Sequence, residues 1–333
     1  MTESPVAELL AELVRCDSTN PDLVAGGAGE AGVAAIVARR LAAAGFDVSV
    51  EDVAEGRPNV RGRLAGRGGG RKMQQGSHNQ VVGIVAGVTD EELGSLGAVA
   101  LAEQVAADAA ILPEQSDLQL ITAHGGFAWF ELTSVGFEAA GIDVERGVDS
   151  IALLAPVLER ISSLDRELAA REPAAYGRPA IHASTIAGGS QYPAFPARTV
   201  LGIERCTVGG ESTADAIAEI EAMIAAAERA DPRFEGHLEL VGGRDPVELD
   251  RSEPIVRILD EVAGERLGAP AVHRGDIGWM DSGILVEAGI PCVIFGPTGA
   301  GEHTDDEWGD LESLDVCAEI LELTARRFCE MGS

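Results

Sequence analysis

Two adjacent glutamates, Glu91 and Glu92, sit in the run Thr89-Asp90-Glu91-Glu92-Leu93-Gly94-Ser95-Leu96-Gly97-Ala98. Adjacent carboxylates can divide labour: one holds a metal ion while the other moves a proton. Further along, Pro113-Glu114 offers another carboxylate. Glu302-His303-Thr304-Asp305-Asp306-Glu307-Trp308 offers an imidazole. Carboxylate and imidazole donors in this mixture suit Zn²⁺, and Mn²⁺ or Co²⁺ less often. With 55 acidic residues among 333, chance alone produces a Glu-Glu pair somewhere. Placement is what separates these acids from solvated surface.

Strands must do the placing. The apolar, β-branched run at 81–88 reads as a buried parallel strand ending at Glu91 and Glu92. Strands at 109–112 and 291–296 end just before Glu114 and His303. Ligands of open α/β sheets bind beyond the carboxyl ends of the strands. The acids and His303 are therefore expected to converge on one edge of a parallel sheet. Strands at 46–50 and 59–64 and helices at 5–16, 29–45, 96–107, 253–267, 281–288 and 313–329 complete this part of the chain. From about 118 the rhythm changes. A strand at 127–135, a helix at 148–168, strands at 182–187 and 199–207, a helix at 213–230 and a strand at 236–241 follow. That order is the ferredoxin-like βαββαβ arrangement. The expected class is α/β. A split domain, 1–117 and 245–333, has a mostly parallel sheet between helices, and a second domain, 118–244, is inserted into it.

Length and charge agree with two soluble domains. A chain of 333 residues is long for one core. A net charge of −30 leaves nothing to neutralise nucleic-acid phosphates or to dock on an anionic membrane. No run of 18 apolar residues predicts a membrane span. The start lacks the basic region of a signal peptide. Five scattered cysteines, with no CxxC pair, fit a reducing cytoplasm.

Several pieces, in order, carry a resemblance. They are Arg57-Pro58-Asn59-Val60, the run Thr89–Gly97, Pro113-Glu114-Gln115-Ser116-Asp117-Leu118 and Ala123-His124-Gly125-Gly126. Glu204-Arg205-Cys206-Thr207, Ala288-Gly289-Ile290-Pro291, Gly296-Pro297 and His303–Trp308 continue it. Together they resemble the M20 family of metallopeptidases and deacylases, the acetylornithine deacetylase, succinyl-diaminopimelate desuccinylase and carboxypeptidase G2 group. The resemblance implies a zinc-dependent amidohydrolase acting on an N-acyl amino acid or small peptide. Glu91 matches the general base that activates water. Glu92, Glu114 and His303 match metal ligands. The split domain matches the catalytic domain, and the inserted one matches a lid that also forms a homodimer. Arg205 matches a lid arginine suited to the substrate's carboxylate, and Gly188-Gly189 a glycine pair that permits close approach.

The departures from the family pattern are specific. The family has a strand ending in His-x-Asp and, several tens of residues later, an Asp bridging two metals in a motif like Asp-Met-Lys-Gly. No such motif exists here, and the ten residues between Gly70 and Val81 leave no room for that strand and helix. His78-Asn79-Gln80 is the candidate remnant, with Gln80 in place of Asp. Ala140 stands where the family often has a lid histidine. These losses open an alternative: a catalytically impaired relative that keeps a dimeric fold and holds at most one metal.

Overall fold

The computed structural model describes residues 4–65, 81–302, 304 and 306–330, with Val81 and Val82 as backbone only. The chain divides into two compact units. One comprises Met1–Thr122, Leu249–His273 and Ile284–Ser333; the other comprises Ala123–Glu248 and Arg274–Gly283.

In the first unit, α1 (Pro5–Val14) begins where the Ser4 hydroxyl accepts the Val6 N–H and Pro5 presets the first-turn φ. After α2 (Ala31–Ala43), Gly45 turns the chain at a φ of 88°. The strands β1 (Asp47–Ala54), β2 (Arg57–Ala65) and β3 (Val81–Gly87) form a three-stranded antiparallel sheet in that order. Then come α3 (Leu96–Gln104) and β4 (Ala110–Leu112).

Here the expectation for 81–88 is corrected. The strand β3 pairs antiparallel with β2, lies in a sheet apart from β4, and leaves Val85 46% exposed. Glu91 and Glu92 on the one hand and Glu114 on the other therefore do not extend from one parallel sheet edge. Apolar β-branched composition signals a strand but not its partner's direction. Direction follows from the connection: parallel neighbours need a crossover, usually helical. The sequence 66–80 carries no helical period.

The strand β5 (Leu120–His124) starts in the first unit, where Ile121 pairs antiparallel with Ile294, and Leu120 is fully buried. This places 118–122 with the first unit rather than at the start of the inserted domain.

The second unit runs β6 (Gly126–Val135), α4 (Ser150–Leu153), α5 (Ala155–Ala169), β7 (Ala180–Gly188), β8 (Arg198–Thr207), α6 (Thr213–Ala230) and β9 (Glu235–Arg244). Its antiparallel sheet has the order β7-β8-β6-β9, the ferredoxin-like topology expected. The helix α6 opens with a capping box: Ser212 and Asp215 satisfy each other's backbone N–H groups. Alternation along β8 buries Leu201 and Ile203, which pack with Phe130 and Leu132 of β6 under Ile161 and Leu164 of α5 and Ile220 of α6. The strand β10 (Val247–Glu248) pairs with the end of β5 at His124 and Ala123, so 245–248 belong with this unit.

The chain returns to the first unit through α7 (Pro254–Leu267), which ends at Gly268 with a φ of 71°. After β11 (His273–Asp276) and α8 (Ser282–Glu287) comes β12 (Cys292–Ile294), parallel to β4. The hairpin β13 (Gly299–Ala300) and β14 (Trp308–Gly309) precedes α9 (Leu311–Glu330). Val256, Leu259 and Val262 of α7, Val293, Phe295 and Ile320 form this unit's core.

Candidate functional site

The turn after β3 is built from beneath. Asp90 and Ser95 both adopt left-handed backbone, with φ of 66° and 53°, and bracket Glu91–Gly94. The buried Asp90 carboxylate holds the turn from inside. One oxygen accepts from Arg57 Nη2 at 3.0 Å and Asn20 Nδ2 at 2.8 Å; the other accepts the Gly94 N–H at 3.1 Å. The Ser95 N–H donates to the Asp90 carbonyl at 2.7 Å. Asn59 ties the strand end to the helix start. Its Oδ1 accepts the Thr89 N–H at 3.1 Å and its Nδ2 donates to the Gly97 carbonyl at 2.8 Å. A Cβ at Gly97 would lie 2.4 Å from the Thr89 nitrogen, so glycine is required there.

Arg57 is buried and also donates to Glu30 and Asp22. Its bond to Glu30 holds the guanidinium protonated, and Arg57 in turn holds the Glu30 carboxyl below its usual range. Glu91 and Glu92 are left exposed on a fixed backbone, one turn before α3. Negative charge is favoured at a helix N-terminus. Asp90, Arg57, Asn59 and Asn20 carry no chemical role in the sequence reading. The one signal in the sequence is that Arg57-Pro58-Asn59 and Asp90 lie in the runs that carry the family resemblance.

The half-buried Glu114 follows β4 in a second constrained loop, where Asp117 and Leu118 have φ of 57° and 55°. The Ser116 hydroxyl accepts the Gly296 N–H at 2.8 Å and donates to the Gln119 carbonyl at 2.8 Å. A Cβ at Gly296 would come 1.9 Å from the Glu114 carbonyl oxygen. Gln115 Nε2 donates to Glu307 Oε1 at 3.3 Å. The structure thus brings the Glu114 loop against the β13–β14 hairpin, between whose strands the sequence carries His303. His303 itself, and His78, lie outside the described residues.

Among the described residues no three His, Cys, Asp or Glu side chains form a metal-holding group. Glu92 and Glu114 are donors of a type that zinc accepts, but by themselves they make an incomplete set.

Arg205 is corrected. Its position on β8 puts it on the inward face with Leu201 and Ile203, 1% exposed. Glu219 accepts from Nε at 2.8 Å, Glu211 from Nη2 at 2.8 Å, and the Cys206 carbonyl from Nη1. Its donors are engaged by the protein's own oxygens, so it is not presented to a substrate carboxylate. Gly188 and Gly189 have local reasons as well. A Cβ at Gly188 would lie 2.3 Å from Thr199 Oγ1, and Gly189 turns the chain at a φ of 80°.

In the second unit, His124 Nε2 lies 2.8 Å from Ser282 Oγ. His124 Nδ1 faces the Gly125 carbonyl at 2.8 Å. A carbonyl only accepts, so Nδ1 carries the proton and Nε2 accepts from Ser282. Burial holds this imidazole below its ordinary pKa. Both side chains are about fully buried, which denies a substrate access to the hydroxyl.

Residues 72–327 match the model of peptidase family M20/M25/M40. Acetylornithine deacetylase of Pasteurella multocida (strain Pm70) is 23% identical over 257 residues, 74% of this chain and 64% of that protein. Its counterpart in Proteus mirabilis (strain HI4320) is 23% identical over 254 residues. The match thus spans less than two thirds of the length of these curated relatives. The fold is similar to that of a tripeptidase from Staphylococcus aureus subsp. aureus Mu50, with a TM-score of 0.76 at 18% identity, covering 98% of each chain. It is also similar to an M20 family metallo-carboxypeptidase from Sulfolobus solfataricus, with a TM-score of 0.71 at 13% identity, covering 98% of this chain and 100% of that one. The chain belongs to peptidase family M20/M25/M40.

Proposed function

We propose that this M20 protein hydrolyses the amide bond of an N-acyl amino acid or small peptide, with Glu91 as general base toward the attacking water. One observation carries the reading. The four described non-glycine residues with left-handed backbone, Asp90, Ser95, Asp117 and Leu118, all flank the turns that bear Glu91, Glu92 and Glu114. Such backbone costs about 1–3 kcal/mol per residue and persists where surrounding structure enforces it, most often at functional sites. Glu92, Glu114 and His303, with His78 as a further donor, would hold Zn²⁺, or Co²⁺ or Mn²⁺ in its place. When bound, the ion would polarise the scissile carbonyl. Glu91 takes a proton from water and returns it to the leaving amine.

In this reading the first unit is the catalytic domain and the second is the lid and homodimer contact. The protein works in the cytoplasm, apart from nucleic acid and membrane; no helix among the described residues is long and apolar enough to cross a membrane. The acyl-amino-acid class rests on the names of the relatives and on the family.

The test is release of free amine from N-acetyl amino acids and tripeptides by zinc- or cobalt-loaded protein. Glu91→Gln is expected to lower kcat by about 10²–10⁴ with an unchanged melting curve. Absence of turnover by folded, metal-loaded wild type would sink the hydrolase reading. It would favour the catalytically impaired relative to which Gln80 and the missing Asp-Met-Lys-Gly motif point.

A further inference from the structure

We propose that Asp90, clamped by Arg57, is a positioning residue that fixes the Glu91–Glu92 turn in its strained backbone; its catalytic consequence rests on the hydrolase reading above. Three features converge on it. First, the Asp90 carboxylate is 2% exposed and lies 3.0 Å from the Arg57 guanidinium. Second, its two oxygens serve different parts of the turn: one faces Arg57 and Asn20, the other the Gly94 N–H. Third, the residue itself has a φ of 66°, and the turn's far end, Ser95, has a φ of 53°.

A short polar side chain eases left-handed backbone but does not enforce it. Enforcement comes from the anchor. Arg57 is 5% exposed and is also held by Glu30, 13% exposed, and by Asp22. Its planar fork has donors enough for all three carboxylates and cannot lose its proton. The guanidinium thus ties the residue just before the acid pair to α2's start and to the loop at Asn20–Asp22. Glu91 and Glu92 themselves are on the exposed side of this clamp. In the proposed reaction neither Asp90 nor Arg57 acts on a reacting atom, so their effect passes through the backbone that aims Glu91.

The test uses three variants of the full chain. Asp90→Ala removes all three carboxylate bonds, to Arg57, Asn20 and the Gly94 N–H. Asp90→Asn keeps an acceptor for the Gly94 N–H and tolerates the positive φ, but loses the charge. Gly94→Ala leaves Asp90 in place, yet its Cβ would fall 2.6 Å from Asp90 Oδ2 and push the carboxylate aside. Amide hydrogen exchange is read for the peptide covering 90–97 and, as an internal standard, for α7. In Asp90→Ala and Gly94→Ala, exchange at 90–97 is expected to rise at least about tenfold while α7 is unchanged. In Asp90→Asn the rise is expected to be smaller.

With an N-acetyl amino acid substrate, kcat is expected to fall about 10- to 100-fold while KM stays within about twofold, the signature of a misaimed base. Asp90→Asn is expected to recover part of that loss. Unchanged exchange at 90–97 in Asp90→Ala overturns the clamp. Faster exchange with wild-type kcat overturns its positioning role. If wild type itself turns over nothing, the hydrolase reading fails alone, and the exchange arm still decides the clamp.

Discussion

His124 shows how a single residue's surroundings select its chemistry. Its neutral form is the one the fold accepts: Nδ1–H meets a carbonyl, Nε2 meets a hydroxyl, and burial penalises the cation. In the unfolded chain the imidazole titrates near its ordinary 6.5. The folded value lies below that, so between the two values the unfolded state binds more protons. Stability from this residue is therefore fully present above about pH 6.5 and is lost as pH falls toward the folded value. Most carboxylates titrate below this window. Urea unfolding of wild type is expected to weaken between about pH 6.5 and 5. In His124→Gln, which keeps a polar group for the same partners, the slope over that interval should flatten. An identical slope in both proteins would show that other groups set it.

The same scale separates what the sequence displayed from what it concealed. Glu91, Glu92 and Glu114 were legible because each acid follows an apolar run. Asp90 was not, because its importance lies in a φ of 66° and a buried partner 33 positions away. Neither leaves a periodic trace.

At the scale of elements, β8 carries the lesson. Its alternation is regular, so the inward face was readable, and that inward face includes Arg205. The sequence alone offered no way to choose its partners among 55 acids. Folding selects Glu219 one helix away and Glu211 in the loop between. Arg205 therefore joins β8 to α6 rather than waiting for a ligand. Arg205→Met would leave two carboxylates facing an apolar side chain. Breaking a buried pair costs about 3–5 kcal/mol. With Glu219 27% exposed, the lower end, about 3 kcal/mol, is expected in chemical denaturation. A loss under about 1 kcal/mol would mean that water already satisfies both acids.

The βαββαβ order was legible for a related reason: each element has its own period, and in the sheet order β7-β8-β6-β9 the β6–β7 and β8–β9 connections are helical crossovers while β7 and β8 are joined directly. The antiparallel pairing of β3 was not, because strand direction depends on the connection and not on the strand.

At the scale of the whole molecule, the open question is how many cations the first unit can hold. Two divalent ions about 4 Å apart repel by roughly 17 kcal/mol at an effective dielectric of 20, so a carboxylate between them is what lets them coexist. The family takes that carboxylate from the segment preceding β3. Here the stretch 66–80 contains no Asp or Glu at all and carries Arg67, Arg71 and Lys72. That sequence supplies no carboxylate to serve as a bridging anion. The net charge of −30 cannot substitute, because exposed acids act through water and salt. In the proposed function, Glu92, Glu114 and His303 would be left as donors for one ion. Protein loaded with excess zinc, dialysed and assayed by elemental analysis is expected to retain at most one zinc per chain. Two retained zincs would require a bridging group from another element. Glu92→Gln should then separate the cases: it abolishes retention if the site holds a single ion, and leaves one zinc behind if there are two.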